Sequence, residues 1–499
     1  MKIGLVFNPF SYKLHEENLK IVQRYFGLFP PLSLTWVAAI AERAGHEVIL
    51  VDSRTLRLTK EETLDRLKEF QPDILGFMMT TYMFRETLEW IRFLKGHLKV
   101  PVMVGGYNLR VYPAESVTPP EIDFGVVNSA YYTLPMLLSE LEGDRNFSSV
   151  PGLSYKENNK IIVTPQHDPP ENFNDYPFPA RHLLPNELYA EFPTERRNFT
   201  VMVTSKGCPR GCLFCEAGRT PYNPRSSVKV LEEIEQCYHS FKIREIDIFD
   251  YEFLIDRKRA LKICEGLIEK KLDMTFACRA RIDSVDESLL VKMRKAGFSR
   301  IYFGIESGVQ EILDRINKGI TLDQIRKTIR LTNEIGIRSL GFFMIGNPGE
   351  TKKMIKQTLK FAKKLDLDYV QFSKTTAKPL TSLWKDLKNR TGVDYWQDYI
   401  LGKVEEKPLP RPWIELSNEE IDKITRKAYI RYHFRLGYLL KQTMRVKSWE
   451  EFKRKFFAFL EMIFRQESKS VKDDDFKIYH DKVVRKKYFR KISKWSRPF

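Results

Sequence analysis

The chain has 499 residues, which divides it into two to four domains rather than one ordinary core, and 42% of those residues are hydrophobic, ample for buried cores. Its six cysteines, three of them clustered, exclude a disulfide framework and point to reduced thiols and a cytoplasmic setting, while no window approaches eighteen uninterrupted apolar residues, which excludes a spanning helix. A formal net charge of +18 invites anionic partners, either nucleic acid or a membrane surface.

Residues 1–142 alternate strands and helices. The opening "MKIGLVFNPF" is too short for a signal peptide and reads as a strand over 1–7. Strands follow over 46–52, 73–79, 100–105 and 126–128, separated by helices over 32–44, 59–70 and 85–97 and followed by one over 134–141. This order predicts an α/β, doubly wound, Rossmann-like parallel sheet, whose ligands bind at the carboxyl ends of the strands. Residues 143–198 are rich in Pro, Asn and Asp and read as a linker with a short hairpin over 153–164. From 199 to 376 the alternation returns, with strands over 201–205, 245–249, 274–277, 300–304, 339–345 and 369–372 and helices between them. Six strands with crossover helices predict a partial parallel α/β barrel, with its chemistry at the strands' carboxyl ends.

Residues 377–499 read as a C-terminal α-helical region with a basic tail. Capping boxes at Ser417-Asn418-Glu419-Glu420 and Ser448-Trp449-Glu450-Glu451 start two helices. The first carries Ile421, Ile424 and Ala428; the second carries Phe452, Phe456, Phe459 and Ile463 on one face, suited either to a core or to a lipid-facing surface. Residues 482–499 hold eight Lys or Arg and no acid, with Tyr488, Phe489, Trp495 and Phe499 interleaved. Such a tail suits phosphate backbones, lipid headgroups or plain solvation.

The stretch "TSKGCPRGCLFCEAG" follows the first barrel strand and places Cys208, Cys212 and Cys215 at C-x3-C-x2-C spacing. Thiolates on a tight loop loosened by Gly207 and Gly211 can converge on a soft metal centre. Structural zinc generally takes four protein ligands, and no histidine or fourth cysteine lies nearby in sequence, so a three-thiolate site is open. A four-iron cluster on three cysteines keeps one iron for another ligand.

The run "GCPRGCLFC" resembles the signature of the radical S-adenosylmethionine (SAM) superfamily. "CRARID", "YFGIESG" and "MIGNPGET" are similar to that family's later motifs, as is "FDYEFLIDRKRALKIC", in which Tyr251 replaces the second of two paired acids. The resemblance implies a [4Fe-4S] cluster on Cys208, Cys212 and Cys215 whose free iron chelates SAM, and a 5'-deoxyadenosyl radical that abstracts hydrogen from an unactivated carbon. It implies Phe214 near the adenine, Glu306 on the ribose hydroxyls, Arg281 at the cofactor carboxylate, and Gly346, Pro348 and Gly349 at the adenine side. Arg281 is equally suited to a plain ion pair with Asp283 or Glu306.

The first domain is similar to the cobalamin-binding domain that precedes the barrel in one large class of these enzymes, on "PPLSLTWVAAIAERAGHEVILVD", "QPDILGFMMTT" and "VMVGGYN". Cobalamin is then expected at Gly105 and Gly106, with Thr80 and Thr81 as hydrogen-bonding partners. No D-x-H-x-x-G run is present, so no histidine ligand to cobalt is expected, and "NSAYYT" stands where the class has G-E-G-E; the alternative is a structural domain. These readings imply cobalamin-dependent C-methylation of a hydrophobic, lipid or isoprenoid-like substrate, a ferredoxin- or flavodoxin-like reductant, and peripheral membrane contact through the tail. The alternatives are cobalamin-free cyclisation or carbon–carbon bond formation, and a nucleic-acid modifying enzyme, which lacks an RNA-binding appendage.

Overall fold

The computed structural model describes residues 1–10, 27–167, 170–191, 193–196, 198–405 and 409–444, with Val446 and Phe452. The first sheet has seven strands in the spatial order Glu47–Asp52, Lys2–Phe7, Ile74–Met78, Val102–Gly105, Phe124–Val126, Leu153–Glu157 and Lys160–Val163. The first five are parallel and the last two antiparallel. Lys2–Phe7 is apolar almost throughout because helices cover both faces: Ile3 and Leu5 join one core and Val6 the other. Helix Lys60–Phe70 begins at the Thr59–Glu62 capping box and buries Leu64 and Leu67.

The segment 143–198, expected as a linker, packs into the fold. Its hairpin extends the first sheet, Phe173 is fully buried, and Ala190–Glu191 pairs with Gly27–Leu28. Proline density stops regular elements from forming, yet it leaves side chains free to fill space between two domains.

The second sheet has six parallel strands in chain order: Phe199–Met202, Glu245–Ile248, Thr275–Ala280, Phe298–Glu306, Arg338–Ile345 and Tyr369–Lys374. This is the expected partial barrel. Its amino-terminal end is closed by buried charge. Arg300, fully buried, donates to Glu245 (3.1 Å), Tyr302 (2.9 Å) and the Pro193 carbonyl (2.8 Å), while Arg338 pairs with Glu195 at 3.3 Å. Burial, then Asp247, pushes the Glu191 carboxyl up to about 8. The opposite end is left for loops and function.

The region after the barrel serves both domains. Helix Tyr395–Ile400 buries Trp396, Tyr399 and Ile400 in the core of the first domain, where Arg85 Nη2 donates to the Tyr399 carbonyl at 2.9 Å. Helix Asn418–His433 starts at the expected Ser417 cap and packs Ile421, Ala428, Tyr429 and Tyr432 against the barrel, so its apolar face is core. The helix expected from Ser448, Phe452 apart, and the basic tail lie outside the described residues. No helix among the described residues is long and apolar enough to cross a membrane.

Trp396 is 1% exposed and its indole donates to the Ala377 carbonyl at 2.9 Å. Trp396→Ala is expected to cost about 3–5 kcal/mol, the usual range for a buried large aromatic. The first unfolding transition of the apo protein in urea measures it.

Candidate cofactor and active site

The cysteine loop begins at a fixed point. Past Phe199–Met202, the backbone N–H and hydroxyl of Thr204 donate to Asp250 at 2.6 and 2.5 Å, and those of Ser205 at 3.1 and 2.7 Å. Arg259 holds the Thr204 carbonyl at 2.9 Å. Gly207 then turns the chain with φ +78°, where an added Cβ would lie 1.8 Å from the Pro221 carbonyl oxygen. Cys208 N–H donates to Thr220 Oγ1 at 2.9 Å, and the Cys215 N–H closes on the Cys212 carbonyl at 3.2 Å.

All three thiols are unbridged; Cys208 is buried and the other two are half-buried. Burial pushes the Cys208 thiol up and that of Cys215 up to about 11, and each also feels Cys212. Among the described residues no three His, Cys, Asp or Glu side chains close around a single ion. A cubane asks for something wider, one thiolate per iron, and three free thiols on one pinned loop fit that donor set.

Around this loop the barrel's carboxyl ends bring three expected residues together. Glu306 ends its strand at φ +67°, after a register shift between Gly304 and Glu306. Of the ion pairs considered for Arg281, the one with Asp283 forms. Its guanidinium pairs with Asp283 at 2.8 Å, and Nη1 lies 3.9 Å from Cys212 Sγ. Phe214 packs on the barrel core. Lys318 joins them and was missed: its ammonium donates to Glu306 Oε1 at 2.7 Å and sits 5.9 Å from the centre of the Phe214 ring, and its carbonyl accepts from Arg281 Nη2 at 2.6 Å. The stretch "INKGI", with Gly319 at φ +68°, was the available signal for a tight turn there. Phe214, Arg281 and Glu306 thus supply an aromatic face, a cation and a carboxylate, a set that fits SAM.

Gly346, Pro348 and Gly349 lie past the next strand end, with their backbone already engaged. Trp413 donates its indole N–H to the Gly346 carbonyl and accepts the Gly349 N–H, both at 2.9 Å. An added Cβ at Gly349 would fall 1.7 Å from Arg315 Nη1, so this glycine makes room for a protein side chain. Glu350 pins the same loop through Oε2, accepting Gly346 N–H (2.8 Å) and Asn347 N–H (3.1 Å), while its buried Oε1 has no partner among the described residues.

In the first domain the strand order reverses between Lys2–Phe7 and Ile74–Met78, and a ligand belongs in the crevice at their carboxyl ends. Asn8, fully buried with Oδ1 unpartnered among the described residues, and half-buried Thr80 stand at that crevice. Beside them Gly106 has φ +113°, and a Cβ there would approach the Met79 carbonyl oxygen to 3.0 Å, while one at Gly105 would make only an ordinary contact with Val126 Cβ at 3.8 Å. An unpaired amide oxygen and a backbone edge without side chains fit cobalamin. Thr81 does not contribute as expected. It is 1% exposed and its hydroxyl is spent on Asn108 Oδ1 at 2.8 Å, because the 3-10 turn after Thr80 rotates it inward. The "NSAYYT" segment packs aromatics instead of acids, with Tyr131 stacked on Tyr176 and Tyr132 on His167.

This edge faces the cysteine loop. Tyr107 donates to the Pro379 carbonyl at 2.9 Å, and burial followed by Glu216 raises its phenol.

Two outcomes follow from these geometries. Gly207→Ala is expected to lower iron and sulfide after anaerobic reconstitution to less than about half of wild type, with far-ultraviolet circular dichroism unchanged, since the left-handed turn and the Pro221 contact admit no Cβ. Burial raises the Glu350 carboxyl from 4.5 to about 7 against the N–H groups of Asn347 and Gly346. The folded state therefore keeps a proton that the unfolded state has released, and stability from this group falls as pH rises between those values, by about 3 kcal/mol in all. Urea titrations of apo wild type and Glu350→Gln across that window should show the variant losing less stability.

Comparison with known proteins agrees with both halves. Residues 202–362 match the model of the radical SAM superfamily, and residues 19–138 that of the B12 binding domain. An uncharacterized methyltransferase of Pyrococcus horikoshii is 32% identical over 451 residues, covering 88% of this chain and 94% of that protein. An anaerobic magnesium-protoporphyrin IX monomethyl ester cyclase of Rubrivivax gelatinosus is 27% identical, covering 82% of this chain and 76% of its own. Among solved structures, the radical SAM methyltransferase TsrM of Kitasatospora setae, with cobalamin and a [4Fe-4S] cluster bound, superposes with TM-score 0.63 at 18% identity over 78% of this chain and 75% of that one. The cobalamin-dependent radical SAM enzyme OxsB, with aqua-cobalamin and SAM bound, gives 0.63 at 19% identity over 92% of this chain and 70% of that one. The pinned three-cysteine loop, the sheet edge turned toward it and these likenesses together place the chain in the cobalamin-binding class of the radical SAM superfamily, as a methyltransferase-like enzyme that uses a [4Fe-4S] cluster, SAM and cobalamin.

Proposed function

We propose that this enzyme methylates an unactivated carbon of a hydrophobic, lipid- or isoprenoid-like substrate. Bound together, the cluster with SAM supplies hydrogen-atom abstraction, consuming one electron from a ferredoxin- or flavodoxin-like reductant, and cobalamin supplies the methyl group. The observation that carries the reading is the approach of the two domains: Tyr107, at the carboxyl edge of the first sheet, is bonded to Pro379 and lies within electrostatic reach of Glu216, the neighbour of Cys215. In this reading residues 1–142 hold cobalamin and 199–376 hold the cluster and SAM. Glu306 accepts the ribose hydroxyls, Arg281 takes the cofactor carboxylate and Phe214 lies against the adenine.

The apolar substrate draws support from helix Leu436–Met444, where Leu436, Leu440 and Met444 form an i, i+4, i+8 stripe that is 80%, 62% and 80% exposed. With the basic run of 482–499, such a face suits contact with an anionic bilayer that holds the substrate. The likeness to a cyclase over 82% of this chain favours a second reading, ring closure or carbon–carbon bond formation at the same site.

Anaerobic purification with cluster reconstitution and hydroxocobalamin should give about four irons and about one cobalt per chain. Incubation of that protein with SAM carrying a labelled methyl group, a reductant and a lipid extract should place label in an apolar product. Stoichiometric cobalt with oxidised or cyclised but unlabelled product would select the second reading, and iron without cobalt would refute cobalamin-dependent methylation.

A further inference from the structure

Glu306 is a buried carboxylate, 6% exposed, at the end of a strand, and such a group without a cation costs several kcal/mol. Its only cationic partner within hydrogen-bond distance among the described residues is Lys318, itself 7% exposed. Only Oε1 is taken; among the described residues Oε2 receives no hydrogen bond, so one oxygen remains as an acceptor. The strand leaves space for this pair through Gly304, where an added Cβ would fall 2.6 Å from both Glu306 Oε1 and Lys318 Nζ.

Lys318 arrives on a turn after helix Gln310–Arg315, with Asn317 at φ +53° and Gly319 at φ +68°. The same turn grips the cysteine loop. The Ile316 carbonyl accepts from Leu213 N–H at 3.1 Å, and Asn317 Nδ2 donates to the Gly211 carbonyl at 2.9 Å. The Lys318 carbonyl holds Arg281, and its ammonium reaches both Glu306 and the face of Phe214.

We propose that Lys318 is a positioning residue for SAM, fixing the Glu306 carboxylate, the Arg281 guanidinium and the Phe214 ring in one arrangement while leaving Glu306 Oε2 to accept from the ligand. This rests on SAM occupying the site beside Glu306. An ion pair that merely stabilised the barrel would lose nothing in ligand affinity once both charges were removed cleanly. A positioning pair loses affinity when either member is removed, and the two losses overlap.

The test uses reconstituted holoenzyme of wild type, Lys318→Met, Lys318→Arg, Glu306→Gln and the Lys318→Met/Glu306→Gln double variant. Three quantities are read: iron content, the SAM dissociation constant by equilibrium dialysis, and the change in the electron paramagnetic resonance signal of the reduced cluster on SAM addition. Lys318→Met should keep wild-type iron, bind SAM about 10- to 100-fold more weakly and need correspondingly more SAM for the spectral change; this corresponds to about 1.4–2.8 kcal/mol. Lys318→Arg should recover part of the affinity, and the double variant should bind no more weakly than Glu306→Gln alone. SAM binding by Lys318→Met within about twofold of wild type would overturn the proposal, as would additive losses in the double variant. Iron lost in parallel with SAM would overturn it too, assigning the residue to the loop. Failure of wild type itself to bind SAM would instead overturn the reading of the site, and the proposal with it.

Discussion

Asp250 accepts four hydrogen bonds from two consecutive residues, Thr204 and Ser205, in a place sealed from solvent. Burial raises its carboxyl and those bonds, with Arg259 nearby, pull it down. A sealed carboxylate is tolerable only with that number of donors, so the backbone at 204–205 has little freedom to move. Every cysteine ligand is placed downstream of this point. The left-handed turn at Gly207, the Cys208 bond to Thr220 and the Cys212–Cys215 turn each set a direction relative to it. The first of the two acids that the family resemblance pairs therefore does its work on the protein rather than on a ligand, holding the exit of the first barrel strand.

The two ends of the barrel handle buried charge in opposite ways. At the amino-terminal end Arg300 is saturated by Glu245, Tyr302 and the Pro193 carbonyl, with Glu191 close by, which closes the sheet against the segment 170–196. At the carboxyl end the groups are paired but, among the described residues, retain capacity: Glu306 keeps Oε2, Arg281 keeps a hand near Cys212, and Glu252 is bonded to Ser284 through only one oxygen. Saturated networks specify structure, whereas part-satisfied ones are found where a ligand completes them. This asymmetry agrees with the expectation that parallel strands present their chemistry at their carboxyl ends.

Much of this was legible in the sequence because period and punctuation are local. The five parallel strands of the first sheet and all six barrel strands follow from apolar runs between helical stretches, and the Ser417 capping box sets the start of its helix. Residues whose roles depend on distant contacts were not legible. Thr81 looks like a strand-end hydroxyl free for a ligand, yet Asn108, 27 residues away, consumes it. Gly346 and Gly349 look like a cofactor approach, yet Trp413 and Arg315 occupy those sides. Lys318 carries no motif of its own, and its meaning comes from a turn that touches the cysteine loop about 100 residues earlier. The segment 143–198 misled for a related reason: its prolines report the absence of regular elements, which is different from the absence of packing.

The region after the barrel ties the two domains together. Pro379 receives Tyr107, Trp396 enters the core of the first domain, and Trp413 closes on the Gly346 loop, so one stretch of chain fixes the cobalamin-domain edge and the barrel mouth at once. Between them stands Tyr251, 53% exposed, with Glu216, Cys215, Arg110 and Lys378 within electrostatic reach. Solvent reaches the ring while protein from both domains surrounds it, as in a cleft, and burial pushes its phenol up to about 12. A side chain that stays neutral at physiological pH thus occupies the position where the resemblance has a second acid. A carboxylate there would add negative charge beside three thiolates and repel electron-rich groups, whereas a phenol offers an aromatic face and a hydrogen-bond donor. The exchange makes this position less charged and more apolar than a second acid would.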